Sequence, residues 1–381
     1  MTAAPSTRRP RPVLSLVLAL GAVAATFVAL EIAVRVAMPQ DLAFFDGSAI
    51  KRRSQRPGLR YELIPGAYAA SYVGVPVSVN RLGLRDREVA VPKAAGTVRI
   101  LGVSDSVTFG YGVRLEETYL KVLEGRLPHA ARGGARYEAV NAGIEECGLD
   151  AYYHAVRTLG PLLQPDLVLV GIVLNDVQRY DEFDRPARPR EASIEPGLAR
   201  RAHAALLARS QLYYASVLAT RSLLYRFHVL DVADLYGSPL RAVRVEGASI
   251  ERAWASSLHV LEELVGLARA QGLRLVLVVF PVEVQLDDAA IVRYRRDYGV
   301  LVPVRALDGE PQRRLLAFGA SHDVPVIDVL PALRAAGGAD LYLRNGAVRF
   351  DPVHFSPRGH RVVGEAIHRA LIERRLLPDP A

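Results

Sequence analysis

Cysteine occurs once in 381 residues, at Cys147. That excludes an intramolecular disulfide, so packing and hydrogen bonds must hold the fold even outside the cytoplasm. Cys147 itself reads as a small buried side chain. Lysine is nearly missing: the chain has only Lys51, Lys93 and Lys121, while arginine is abundant. The formal charge of +8 and the pI near 9.7 therefore reflect an arginine habit rather than a patch for nucleic acid. No zinc-ligand spacing, basic-aromatic repeat or nucleic-acid motif accompanies the charge. Internal repeats and low-complexity tracts are also missing. What remains is a globular composition, 50% apolar and 23% charged. Its length is enough for one enlarged domain, or a domain with appendages, around a large core.

One long apolar run is present. Residues 13–30 carry no charge and at 1.5 Å per residue can cross most of a bilayer's hydrocarbon core. Arg8, Arg9 and Arg11 precede it. A cleaved signal peptide is the competing reading, with Ala22-Val23-Ala24 as small residues for cleavage. The apolar pattern continues through Ile32, Val34 and Val36, with Glu31 and Arg35 four apart near the far end, which favours an uncleaved anchor. This gives a cytoplasmic tail over 1–12, a transmembrane anchor over 13–37 and a linker over 38–60. The positive-inside rule places the remainder on the extracytoplasmic side. The basic cluster Lys51, Arg52, Arg53 and Arg56 weakens that asymmetry and suits lipid headgroups.

Residues 61–96 hold short alternating stretches, read as an extended preface packed on the main domain. From 97 onward, β-rich runs alternate with helical stretches, the pattern of a parallel sheet covered on both faces. The expected strands are 98–103, 137–141, 167–173, 273–280 and 324–329; the expected helices are 119–127, 152–163 and 250–270. Their order predicts a flavodoxin-like three-layer α/β/α fold with a five-stranded parallel sheet, whose ligands bind at the carboxyl ends of the strands. Residues 177–249 form too long a connection for a turn. The stretch 179–196 is charged and contains proline; 202–235 is rich in leucine and tyrosine at helical spacing. It reads as an inserted helical subdomain, or alternatively as a lid or acyl-chain site near a membrane.

Four segments carry chemistry: Ser104-Asp105-Ser106-Val107-Thr108-Phe109-Gly110, Asn141-Ala142-Gly143, Leu174-Asn175-Asp176 and Asp351-Pro352-Val353-His354. The first three follow expected strands directly. A serine becomes a nucleophile when a base removes its proton and a third group orients that base. Ser106 stands at the start of a glycine-containing turn. Asp351 and His354, three apart, can pair through one ring nitrogen and leave the other for Ser106. Ser356 and Pro357 then suit the cap and first position of a helix running to about residue 374. For the negative charge that develops in acyl transfer, Gly143 offers an unobstructed backbone N–H and Asn175 a side-chain amide. Blander roles are open to each: Ser106 as a helix cap, His354 as a loop histidine, Gly143 as a turn former and Asn175 as a strand-end cap. Asp105 is expected to cap the next helix, Asp176 to brace its loop, and His360 to lie on the surface.

In order, these segments resemble the four blocks of the SGNH (GDSL-type) hydrolase superfamily, over roughly residues 97–376 apart from the insertion. Asn80-Arg81-Leu82-Gly83-Leu84-Arg85-Asp86 is similar to the preface of its membrane-anchored members. The resemblance implies Ser106 as nucleophile, His354 as base and Asp351 as orienting acid, with the Ser106 and Gly143 amides and Asn175 as oxyanion hole. It implies no metal and no organic cofactor. The implied activity is a serine esterase working through an acyl-serine, and the expected anchoring outside a cell, rather than the resemblance, favours an acetyl or short acyl ester of an envelope carbohydrate or lipid. An O-acyltransferase using the same triad and a non-catalytic glycan-binding module are the alternatives. One position departs from the family: Ser104 stands where glycine is usual. Serine there strains the turn if φ is positive, and it also makes Ser104 a rival nucleophile.

Overall fold

A computed structural model of the chain describes residues 12–39, 42, 44, 46–56, 59, 61–127, 136–178, 180, 198–207, 209–227, 229, 248–298, 307–344 and 351–378. The helices are α1 (Pro12–Ala37), α2 (Ser106–Phe109), α3 (Tyr119–Arg126), α4 (Leu149–Leu163), α5 (Leu198–Leu207), α6 (Gln211–Arg226), α7 (Ala248–Ala270), α8 (Asp288–Tyr298), α9 (Glu310–Ser321), α10 (Leu330–Ala336) and α11 (Pro357–Glu373). The strands are β1 (Lys51–Arg53), β2 (Tyr61–Leu63), β3 (Tyr68–Tyr72), β4 (Val75–Ser78), β5 (Thr97–Val103), β6 (Arg136–Asn141), β7 (Leu167–Val173), β8 (Leu275–Phe280) and β9 (Val326–Asp328). The chain divides into two compact units, Met1–Ala43 with Glu191–Leu223, and Phe44–Arg190 with Leu224–Ala381.

The larger unit is built on a five-stranded, wholly parallel sheet in the order β6-β5-β7-β8-β9. Every residue of β7 and β8 is buried, because both faces of the sheet are covered. Helix α3 packs against α11, and α4 against α7. The expected three-layer architecture is therefore the observed one. Strands β8 and β9 are shorter than their apolar runs at 273–280 and 324–329, since those runs continue past the last ladder bonds. Helices α8, α9 and α10 follow β8 and β9 without having been expected. Ahead of the sheet, the antiparallel hairpin β3–β4 buries Tyr72, Val73 and Val77 against Phe109 and Leu343.

The segment 38–60, expected as a linker, contributes β1, which pairs antiparallel with β2, and buries Phe44 and Ile50. Lys51 is not a headgroup ligand here: it pairs with the buried Glu145 and donates to Tyr72 Oη at 2.6 Å. Arg52 and Arg56 share Glu62.

In the smaller unit, α1 is the one helix among the described residues long and apolar enough to cross a membrane, over Leu14–Ala37. At its far end Arg35 and Glu31 pair at 2.7 Å, as their spacing predicts. Glu31 also accepts from Ser210 Oγ (2.7 Å) and from the N–H groups of Gln211 (2.9 Å) and Leu212 (3.0 Å). It thereby satisfies donors that the first turn of α6 leaves unpaired. Helices α5 and α6 fall within the leucine-rich half of the insertion; of the stretch 179–196, all but Tyr180 lies outside the described residues.

Candidate active site

Strand β5 ends at Val103, and two residues later Asp105 caps α2, its Oδ1 accepting from Val107 N–H at 3.0 Å. Ser106 is thus the first residue of a one-turn helix at the carboxyl edge of the sheet, half-buried, with its N–H among the unpaired donors of a helix start. The helix closes at Gly110, whose φ of 87° lies in the left-handed region that glycine adopts without strain.

Ser106 Oγ lies 2.7 Å from His354 Nε2, and His354 Nδ1 lies 2.6 Å from Asp351 Oδ2. The other oxygen of Asp351 accepts from the N–H groups of Val353 (3.0 Å) and His354 (2.8 Å), so one carboxylate fixes both the ring and its backbone. Burial disfavours a charge on His354, but Asp351 outweighs it and holds the imidazole above its usual 6.5. The loop is tied at both ends. Arg344 donates to Asp351 O at 3.1 Å and pairs with the buried Glu283, whose own N–H donates to Pro352 O at 2.8 Å. Beyond the loop, Ser356 caps α11 by accepting from Gly359 N–H at 3.1 Å, worth about 1 kcal/mol. Tyr111 stacks on the His354 ring, centroids 4.3 Å apart.

The expected oxyanion donors gather around the same point with unequal freedom. Asn175 Nδ2 gives one hydrogen to Asp105 Oδ2 at 2.8 Å and keeps a second. The Gly143 N–H donates at 2.9 Å to Asn141 Oδ1, while Asn141 Nδ2 donates to Thr108 O at 2.8 Å. Glycine at 143 answers to close approach: a Cβ there would sit 2.1 Å from Phe109 N. Ser104 is fully buried against Gly171 of β7, and its φ is not positive, so it neither strains the turn nor reaches a base. Asp176 braces its loop as expected, accepting from Tyr152 Oη (2.9 Å) and Val173 N–H (2.9 Å). His360 is not on the surface: it is 1% exposed, its Nδ1 accepts from Tyr119 N–H at 3.2 Å, and burial pushes its pKa down to about 3.

Two residues that hold the site were not singled out from the sequence. Arg85 is buried without a carboxylate partner among the described residues; its Nη1 donates to Phe109 O (2.8 Å) and Gly110 O (2.5 Å), and its Nη2 to Val113 O (2.7 Å). Next to it, Asp86 accepts from Asn141 N–H at 2.7 Å and pairs with Lys121. The preface is therefore a clamp on the loops of Ser106 and Gly143, and the available signal was that Arg85 and Asp86 close the segment 80–86. Tyr111 carried no signal beyond lying next to Gly110.

No protein-family model matches the chain, and no curated protein does. Among solved structures it is similar to a lipase/acylhydrolase from Enterococcus faecalis, 16% identical with a TM-score of 0.39, covering 74% of this chain and 98% of that one. It is likewise similar to the acetyl xylan esterase AlAXEase, 14% identical with a TM-score of 0.41, covering 72% and 100%. A third is a catalytic mutant of an acetylxylan esterase from Geobacillus stearothermophilus, 16% identical with a TM-score of 0.37, covering 71% and 93%. By its own strand order the fold is a flavodoxin-like α/β/α sandwich, and the four segments resembling the SGNH blocks meet at the carboxyl edge of its sheet.

Proposed function

We propose that the chain is a serine esterase, anchored to a membrane by α1, that cleaves an acetyl or short acyl ester of an envelope carbohydrate or lipid on the extracytoplasmic side. The observation that carries the reading is the unbroken relay from Ser106 Oγ through both nitrogens of His354 to Asp351, at 2.7 and 2.6 Å. As Oγ attacks the ester carbonyl, its proton passes to His354 Nε2, and Asp351 offsets the imidazolium charge. The carbonyl oxygen becomes an oxyanion facing the Ser106 N–H and the second hydrogen of Asn175 Nδ2. Gly143 N–H joins them when it leaves Asn141. Collapse of the adduct expels the alcohol, which takes the proton from His354. Water then repeats the cycle on the acyl-Ser106 ester, releasing the acid and restoring the serine. A sugar hydroxyl in place of that water would make the same site a transferase, since the first half-reaction is shared.

The test is intact-mass analysis of the full chain after a fluorophosphonate, beside Ser106→Ala. One adduct on the parent and none on the variant is the expected result. A folded parent that takes no adduct overturns the proposal. Asn175→Ala is expected to lower kcat/KM about 100-fold or more as an oxyanion donor; a change under about threefold would leave it a structural residue.

A further inference from the structure

A cavity of about 150 Å³ lies between α4 and the preface. Its inner wall is made by the buried Ser104 and Gly143, and its lining includes none of Ser106, Asn175, Asp351 or His354. The sides are apolar, with Leu59 ahead of the preface and Leu84 within it facing Ala155 and Leu159 on α4. The members that reach solvent are of one sign: Arg52, Arg56 and Arg157 are exposed, and Glu62 is the one acidic residue of the lining. That carboxylate is already shared by Arg52 and Arg56 at 2.7 and 3.4 Å. Arg157 has no carboxylate among the described residues, and beside it His154 buries an Nδ1 that makes no hydrogen bond there. A buried ring nitrogen with no hydrogen-bond partner, next to a guanidinium that lies 6.0 Å from the Tyr153 ring centroid and has no carboxylate at the rim of an apolar space, is an arrangement that a ligand's anionic group would satisfy.

We propose that this cavity is a second binding site, for an aliphatic monocarboxylate whose head lies between Arg157 and His154 and whose chain lies along Leu59, Leu84, Ala155 and Leu159. At roughly 30 Å³ for a group the size of a water molecule, the volume holds about five chain groups, so hexanoate is the fitting probe. The guanidinium fork matches a carboxylate edge, and the apolar walls reward each methylene removed from water. The site is independent of the reaction proposed for Ser106, although its inner wall, through Gly143, abuts the backbone that carries Phe109.

The test is calorimetric titration of sodium hexanoate into the full chain in lipid nanodiscs, with empty nanodiscs as blank, followed by NMR of the His154 ring. Hexanoate is expected to bind the parent and the Ser106→Ala variant alike, and at least tenfold tighter than hexan-1-ol. Ala155→Trp, which fills the cavity, is expected to abolish binding. Arg157→Gln, a surface change that leaves thermal unfolding unaltered, is expected to weaken it at least tenfold. Burial and Arg157 hold the His154 pKa below 6.5, and a bound carboxylate is expected to raise it. Absence of binding, equal binding of hexan-1-ol, or binding indifferent to both Ala155→Trp and Arg157→Gln would overturn the proposal. Loss of binding in Ser106→Ala would also do so, by moving the acid to Ser106, whereas failure of fluorophosphonate labelling would leave this site untouched.

Discussion

His354 and His360 lie six residues apart and respond to acid in opposite senses. Asp351 raises the pKa of His354 in the folded chain, and the base proposed there works only when neutral. The acid limb of kcat/KM is therefore expected to be centred above pH 6.5, and Asp351→Asn to carry it below 6.5 while reducing the rate roughly 10⁴-fold. A pH-rate profile of the two proteins checks both. The same raised value stabilises the fold fully below pH 6.5, and that contribution is lost as pH rises through the folded-state pKa. For His360 the sign reverses. Its folded pKa is near 3 against about 6.5 unfolded, so the unfolded chain binds more protons between those values. Stability falls as pH drops from 6.5 toward 3, and His360→Gln is expected to flatten that decline in urea titrations across the interval. The buried position of His360 was itself legible: with Val363, Gly364, Ile367 and Leu371 it follows the three-and-four spacing of one helix face. A polar side chain on an apolar face was read by its chemistry rather than by its place.

Among the elements, the preface and the loop after β6 set the position of α2. Arg85→Met leaves the buried carbonyls of Phe109 and Val113 without donors, at about 1 kcal/mol or more each, while Gly110 O keeps the Val113 N–H. The variant is expected to lose roughly 2 kcal/mol of stability by chemical denaturation. Gly143→Ala forces the Phe109 backbone to move, and a displacement of about 1 Å at a reacting group is expected to lower kcat/KM about 100-fold. Unchanged kinetics in that variant would show that the loop accommodates a methyl group without disturbing Ser106. These elements also divide what a sequence can disclose. The sheet was legible because strands covered on both faces are unbroken runs such as Leu-Val-Leu-Val-Gly-Ile-Val at 167–173. Ser106, Asn175, Asp351 and His354 were legible because each sits beside a strand or helix boundary with its own signal. The bond from Gly143 to Asn141 and the grip of Arg85 on residues 109–113 were not. The first is a local side-chain bond two residues apart, and the second joins segments 24 to 28 positions apart; neither leaves a period in the chain. The hairpin β1–β2 was missed because three-residue strands rich in charge, such as Lys-Arg-Arg, carry no alternation.

On the scale of the whole molecule, α1 does more than its composition implies. Glu31, near the end of an apolar helix, accepts from three donors at the start of α6 with its two carboxylate oxygens. Deleting residues 1–37 is expected to release the protein from membranes under alkaline carbonate and to fray the N-terminal turn of α6. Glu31→Gln is expected to reproduce the fraying but not the release, with faster amide exchange at Gln211 and Leu212 as the readout in both.

The residues joined across 2.7 Å in the relay stand 248 positions apart, Ser106 just after the first strand of the sheet and His354 just before the last described helix. During synthesis the proposed nucleophile therefore emerges long before its proposed base. On the function proposed above, a nascent chain extended through β9 holds Ser106 with no partner to take its proton, and is inert toward esters. Hydrolytic competence would then arrive only when α11 docks against α3, which would make turnover itself a late marker of completed folding.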